Sequence, residues 1–279
     1  MTYSEFKAYA KTYLVGNDEH TLSFEADTLL LHFAGFNKSE LLSRRCEQIP
    51  IEILDNLLSA VRRRSDGEPL QYIIGEWEFF GLRMFCGDGC LIPRPETEML
   101  AEIAIKLIPQ GGHFLDLCTG SGCISIAILN NRKDVTGTAV DISKKALSYA
   151  RKNAAYHDVS NRLEIIEADV FHFEPFNIPN VIVSNPPYIK SVDIPKLEKE
   201  LYYEPIEALD GGHDGLDFYK VITQKYNKYL HVNSYLLFEV GYDISDEVAA
   251  IMRYHKLQTN QLKDLSGIDR VCIGKKNDF

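Results

Sequence analysis

Along the first 75 residues the apolar positions fall at helical spacing. Tyr3, Phe6, Tyr9, Tyr13 and Leu14 return every three or four residues, which predicts an amphipathic helix. Phe24, Leu29, Leu31 and Phe33 mark a second helix ending near Gly35, and Asn37 with Glu40 three residues on predicts a capping-box start for a third. Ile51 to Arg64 reads as a further helix, with Arg62, Arg63 and Arg64 in its last turn, where cations complement the helix dipole. Between about 68 and 93 the pattern shortens. Glu76 to Phe80 and Leu82 to Cys86 are apolar and aromatic runs broken by Gly81 and Gly87, and they predict a β-hairpin.

From about 95 onward helical and strand patterns alternate. Pro95 suits a first helical position before Glu96 to Ile108, and strand His113 to Leu117 follows. Then come helix Gly122 to Asn130, strand Val135 to Val140, helix Ser143 to Tyr156, and strands Arg162 to Glu167 and Asn180 to Ser184. Helix Leu216 to Leu230, strand Tyr235 to Val240, helix Ile244 to Tyr254 and a terminal pair of strands, Lys256 to Lys263 and Arg270 to Ile273, complete the pattern. Such alternation predicts an α/β fold: a mostly parallel sheet with helices on both faces, binding its ligand at the carboxyl ends of the strands. The expected organisation is a helical domain over 1–75, a hairpin connector over 76–93 and an α/β domain over 94–279. A chain of 279 residues is about twice the usual domain size of roughly 150, which agrees with two domains.

Composition changes this picture little. With 45% hydrophobic and 25% charged residues the chain is average for a globular protein, and no repeat or low-complexity tract interrupts it. No apolar run approaches the roughly 20 residues needed to cross a bilayer, and Met1 to Thr12 is polar, so no membrane is expected and the cytoplasm is the expected location. Six scattered cysteines read as reduced thiols. Cys86 and Cys90 lack a second Cys or His pair at ligand spacing, and no metal is expected. A net charge of -10 argues against nucleic acid as a stable partner and suits a basic protein; residues 1–75 alone carry eight basic against eleven acidic side chains. The arginine triplet is accordingly read as helix-end charge.

The candidate chemistry lies at successive strand ends. His113 to Leu117 runs into Cys118-Thr119-Gly120-Ser121-Gly122 and then into a helix, and glycines at such a turn let a ligand approach the main chain closely. About 20 residues later Asp141 ends the next strand, where a carboxylate can accept ribose hydroxyls or, alternatively, only cap the following helix. Asp169, with Val170 beside it, follows the third strand and can accept the amino hydrogens of an adenine. Together these describe a nucleoside pocket for S-adenosylmethionine or a nicotinamide dinucleotide. The fourth strand separates the two, because it ends in Asn185-Pro186-Pro187-Tyr188. Two prolines remove two backbone donors and leave rigid carbonyl acceptors; Asn185 adds an acceptor oxygen and Tyr188 a flat face. That set suits a planar NH2 group awaiting alkylation and has no use in hydride transfer.

These residues, together with Pro69 to Gly75, Leu91 to Glu98, Asp116 to Gly122, Asn185 to Ile189 and Gly211 to Asp217, resemble the HemK, or PrmC, family of release-factor N5-glutamine methyltransferases over nearly the whole chain. The resemblance implies a class I, Rossmann-like methyltransferase domain behind a helical N-terminal domain, and the latter, in which no chemistry is read, is expected to dock the substrate. It also implies S-adenosylmethionine as cofactor, held by Cys118 to Gly122, Asp141, Asp169, Val170 and Asn185. The substrate would be the glutamine of the Gly-Gly-Gln motif of peptide-chain release factors, gripped by Asn185, Pro186, Pro187 and Tyr188, of which Asn185, Pro186 and Tyr188 would be catalytic. Asn-Pro-Pro-Tyr alone is shared with enzymes that methylate amino groups of DNA and RNA bases, which is the alternative substrate class. Family members usually have glycine at the position of Cys118. An ordinary backbone angle is expected there, with Gly120 and Gly122 carrying the turn. The segment holding Glu204, Pro205, Glu207 and Gly211 to Asp217 is expected to cover the substrate pocket.

Overall fold

A computed structural model describes residues 1–14 and 18–278. The chain divides into two compact units, Met1–Glu76 with Lys199–Tyr203, and Trp77–Glu198 with Glu204–Phe279.

The first unit is helical: α1 (Tyr3–Lys11), α2 (Glu19–Ala34), α3 (Lys38–Ser43), α4 (Ile51–Ser65) and α5 (Leu70–Ile74). Its boundaries follow local chemistry. Gly35 closes α2 in the left-handed conformation, and Asn37 and Glu40 form the expected capping box. Phe6, Leu29, Leu30 and Leu57 are buried, as the periodicity requires. The arginine triplet is largely spent inside the unit. Arg63 pairs with Glu68, and buried Arg64 makes a bidentate pair with Glu25 at 2.7 to 3.1 Å and a further ion pair with Glu200. That last pair, and a Tyr203 hydroxyl bond to the Asp66 carbonyl, tie Lys199–Tyr203 to this unit. Sequence periodicity carries no sign of such a non-local tie, nor of the five-residue α5.

The second unit begins one residue into a hairpin, β1 (Glu76–Phe79) and β2 (Leu82–Phe85), and continues through α6 (Thr97–Leu107), β3 (His113–Leu117), α7 (Cys123–Asn131), β4 (Thr136–Asp141), α8 (Lys144–Tyr156), β5 (Leu163–Glu167) and β6 (Val181–Ser184). It ends with α9 (Asp217–Tyr226), β7 (Tyr235–Glu239), α10 (Ser245–Tyr254), β8 (Leu257–Lys263) and β9 (Asp269–Lys276). Helix α6 starts at Thr97, two residues after Pro95, which stands in the preceding turn. The strands form one seven-stranded sheet in the order β5-β4-β3-β6-β7-β9-β8, parallel from β5 to β7 and antiparallel beyond. Alternate side chains enter opposite cores: Phe114, Val181, Val183 and Leu237 on one face; Leu115, Leu117, Ile182 and Phe238 on the other. Strand β3 lies between β4 and β6, so the chain winds outward in both directions from it. Such a reversal opens a crevice at the carboxyl ends of the strands. No helix of the described residues is long and apolar enough to cross a membrane.

Candidate active site

A cavity occupies that crevice. Its wall includes Cys118, Thr119, Gly120 and Ser121 after β3, Asp141 at the end of β4, Asp169 and Val170 after β5, and Asn185 and Pro187 after β6. The topology therefore gathers most of the sequence-derived candidates around one space. Gly122, Pro186 and Tyr188 stand back from it. Gly122 caps α7 and faces α8, where a Cβ would sit 3.2 Å from that of Ala150. Pro186 is buried. The Tyr188 ring packs over Gly241 and against the core beneath α9 and α10, and burial pushes its phenol up to about 12.

The turn after β3 is tighter than expected. Cys118 has φ +60°, and Gly120 and Gly122 have φ +57° and +78°, so the left-handed positions number three rather than two. A non-glycine residue there costs roughly 1 to 2 kcal/mol, and the expectation of an ordinary angle at Cys118 is corrected. The surroundings compel it: the Thr119 amide donates to the Val140 carbonyl, and Ser184 Oγ donates to the Leu117 carbonyl at 2.7 Å, fixing the chain on both sides. A Cβ at Gly120 would meet nothing within 4 Å, which means that the main chain of the turn faces open space.

Asp141 serves this turn directly. Its Oδ2 accepts from the Gly120 amide at 2.8 Å and its Oδ1 from the Ser143 amide at 2.9 Å, while the Ser143 hydroxyl caps α8. Burial raises the carboxyl's pKa, against the pull of those amides. Asp169 likewise accepts from the Phe171 amide at 2.8 Å and faces His172 at 2.9 Å. A carboxylate has about four acceptor sites, so both retain capacity for a ligand. Between them Ile142, Val170, Phe171 and Phe218 supply an apolar wall, with the Phe171 and Phe218 rings 5.0 Å apart. Polar acceptors at the rim of an apolar slot, beside an open main-chain turn, match the donor pattern of an adenosyl group.

On the opposite side Asn185 donates its Nδ2 to Thr97 Oγ1 at 3.2 Å, so its acceptor oxygen is turned away from Thr97. Thr97 lines the cavity too, and sequence reasoning gave it no role; nor did it single out Ile142, Phe171 or Phe218. Only the position of Phe171, two residues past Asp169, offered a signal. The long segment between β6 and α9 contributes Pro205, Glu207 and Ala208 to the wall. Its anchor is Glu204, which is buried and accepts from the Ile92 amide at 2.9 Å and from Arg94. The glycine run further along does different work. Gly211 passes so close to Tyr188 that a Cβ would lie 2.6 Å from its Cα, so it backs the Asn185–Tyr188 turn.

Similar proteins are known over most of the chain. Residues 5–75 match the PrmC N-terminal domain and residues 95–214 the methyltransferase small domain. The fold alone is shared, at 15% identity and TM-score 0.50, with the ribosomal protein L11 methylase from Lactobacillus delbrueckii subsp. bulgaricus, over 67% of this chain and 81% of that one. The chain is 41% identical over 260 residues to the release factor glutamine methyltransferase of Thermodesulfovibrio yellowstonii, covering 91% of this chain and 92% of that protein. Against the release factor glutamine methyltransferase of Neisseria gonorrhoeae it is 37% identical over 257 residues, covering 90% and 92%. On this similarity, sustained along both chains, the protein belongs to the release factor glutamine methyltransferase family.

Proposed function

We propose that this protein transfers a methyl group from S-adenosylmethionine to the side-chain amide N5 of the glutamine in the Gly-Gly-Gln motif of peptide-chain release factors, in the cytoplasm. The observation that carries the reading is Asn185 at the cavity wall, bonded to Thr97 through its nitrogen, which leaves its acceptor oxygen for a substrate. The names of the relatives support the substrate class.

When bound, S-adenosylmethionine supplies an electrophilic methyl group on a sulfonium. Asp141 would accept the ribose hydroxyls, Asp169 the adenine amino hydrogens, and the Cys118 to Gly122 turn would receive the methionine part. An amide nitrogen delocalises its lone pair into the carbonyl and is a feeble nucleophile. Asn185 Oδ1 would accept one amide hydrogen of the substrate glutamine and the main-chain carbonyl of Pro186 the other, which raises electron density on nitrogen and aims it. Pro187 would wall the glutamine side chain, and Tyr188, set back, would hold the turn rigid. Alignment of this kind supplies up to roughly 7 to 11 kcal/mol of a barrier. As the new N–C bond forms, the S–C bond to the methyl group would break and the neutral thioether would leave; the nitrogen, then cationic and still carrying both hydrogens, is strongly acidic and would give one proton to solvent.

The helical unit is assigned to docking the release factor. Leu42 and Ile51 stand 67% and 69% exposed on it, and their replacement by Glu should raise KM for intact release factor without altering cofactor affinity. Incubation with labelled S-adenosylmethionine and either release factor or RNA tests the whole reading. Label in the glutamine of release factor is expected, and label in RNA bases alone would replace it with the nucleic-acid alternative.

A further inference from the structure

Behind Asn185 lies a buried acid that the proposed mechanism does not use. Glu239 ends β7 and is 3% exposed, and among the described residues its Oε2 has no hydrogen-bond partner. Phe238 of β7 pairs with Ser184 of β6, which brings Glu239 level with Asn185, and α6, which packs on β7, starts at Thr97, 2% exposed. The Thr97 hydroxyl, which accepts from Asn185 Nδ2, also acts on the Glu239 carboxyl.

Asn185 is useful to an NH2 substrate only in one of its two amide orientations. Oxygen toward the cavity accepts a hydrogen; nitrogen toward the cavity repels it. The two ends have nearly the same shape, so packing does not distinguish them, and a hydrogen-bond partner of fixed polarity must. A hydroxyl is not such a partner, because it can donate or accept. An ionised carboxylate is, since it only accepts. We propose that Glu239 and Thr97 are positioning residues that set the polarity of Asn185: the carboxylate takes the Thr97 hydroxyl hydrogen, Thr97 Oγ1 must then accept from Asn185 Nδ2, and Asn185 Oδ1 is left facing the substrate. This rests on the glutamine-methylation reading and extends it to two residues outside the Asn-Pro-Pro-Tyr motif.

The relay works in full only while Glu239 is charged. Burial pushes its carboxyl up to about 7; the Thr97 hydroxyl, Arg94 before α6 and Arg270 of β9 oppose that rise, and Glu96 adds to it. Tyr219 of α9 donates its hydroxyl to the Glu239 main-chain carbonyl at 2.8 Å, and Tyr188 and Cys123 of α7 interact with the carboxyl electrostatically. Protonation returns to the hydroxyl its freedom to turn, so methyl transfer should fall as pH drops through about 7.

The test is single-turnover methylation of purified release factor by the full-length enzyme, with cofactor affinity and thermal unfolding measured for each variant. Thr97→Val should lower the rate about tenfold, the worth of one hydrogen bond, with cofactor affinity nearly unchanged, and Thr97→Ser should restore most of it. In an Asn185→Ala background Thr97→Val should have no further effect, because it acts through Asn185. Glu239→Gln, neutral at all pH, should flatten the acid limb at the wild type's low-pH rate. Full activity in Thr97→Val, equal loss in Thr97→Ser, or an unchanged acid limb in Glu239→Gln would overturn the relay. If Thr97→Val does not fold, the serine variant and the Glu239→Gln profile decide. Wild-type enzyme that leaves release factor unlabelled would instead overturn the underlying reading, and the relay with it.

Discussion

The two sides of the cavity reach their polar arrangement by different routes. On the β3–β4 side the groups satisfy one another locally: Asp141 binds an amide 21 residues back and another two residues on, and main-chain donors orient it. On the β6 side Asn185 is held through a hydroxyl 88 residues away, at the head of another helix, and no main-chain group among the described residues dictates which end of its amide faces inward. Main-chain donors have fixed polarity, whereas side-chain relays inherit theirs from whatever lies behind. A binding surface can thus be specified by a short motif, while an aligning surface depends on the fold around it.

The largest effect expected from breaking this contrast is at Asn185. Asn185→Ala should lower the single-turnover rate on the order of 10²-fold or more and leave cofactor affinity almost unchanged, because the lost contact is made chiefly in the transition state. Asn185→Asp, which keeps an acceptor, should retain more activity than Ala. Similar rates for wild type and Ala would erase the distinction between the two sides. Next is Asp141→Ala, which should weaken cofactor binding by roughly 1.5 to 3 kcal/mol by calorimetry, the range for a charged acceptor. Unchanged affinity in a folded variant would reduce Asp141 to a support for the Gly120 turn.

Glu239 sharpens the contrast in stability. An acid whose folded pKa lies above its unfolded value contributes stability that is full below the unfolded value and lost as pH rises through the folded one. For Glu239 the window runs from 4.5 to about 7. Glu239→Gln should therefore gain about 3 kcal/mol over wild type between pH 4 and pH 8, read from denaturant melts at both. A gap independent of pH would show that the carboxyl is not titrating in this window. Smallest is Cys118→Gly: relief of left-handed strain, offset by chain entropy, should raise stability by at most about 1 kcal/mol. A loss larger than that would mean the thiol's packing outweighs the strain.

What could be read from the sequence follows the same division. Amphipathic periodicity located most of the longer helices and strands, and glycines and acids at strand ends located Thr119 to Ser121, Asp141 and Asp169, because each depends on neighbours in the chain. Thr97 and Glu239 were invisible for the opposite reason: their meaning comes from β7, α6 and β6 converging. The tie of Glu200 to Arg64 belongs with them, since an ion pair across such a distance leaves no periodic trace. At Cys118 residue preference pointed one way and the hydrogen bonds of the turn the other, and the turn prevailed.

That cysteine has a consequence for the chemistry of thiols. Desolvation holds the Cys118 sulfhydryl well above its ordinary range, so almost none of it exists as the thiolate that peroxides and alkylating agents attack. Cys46, exposed on the helical unit, is open to such reagents instead. A side chain with an oxidisable atom thus stands at the cofactor turn in a form that oxidants find hard to use.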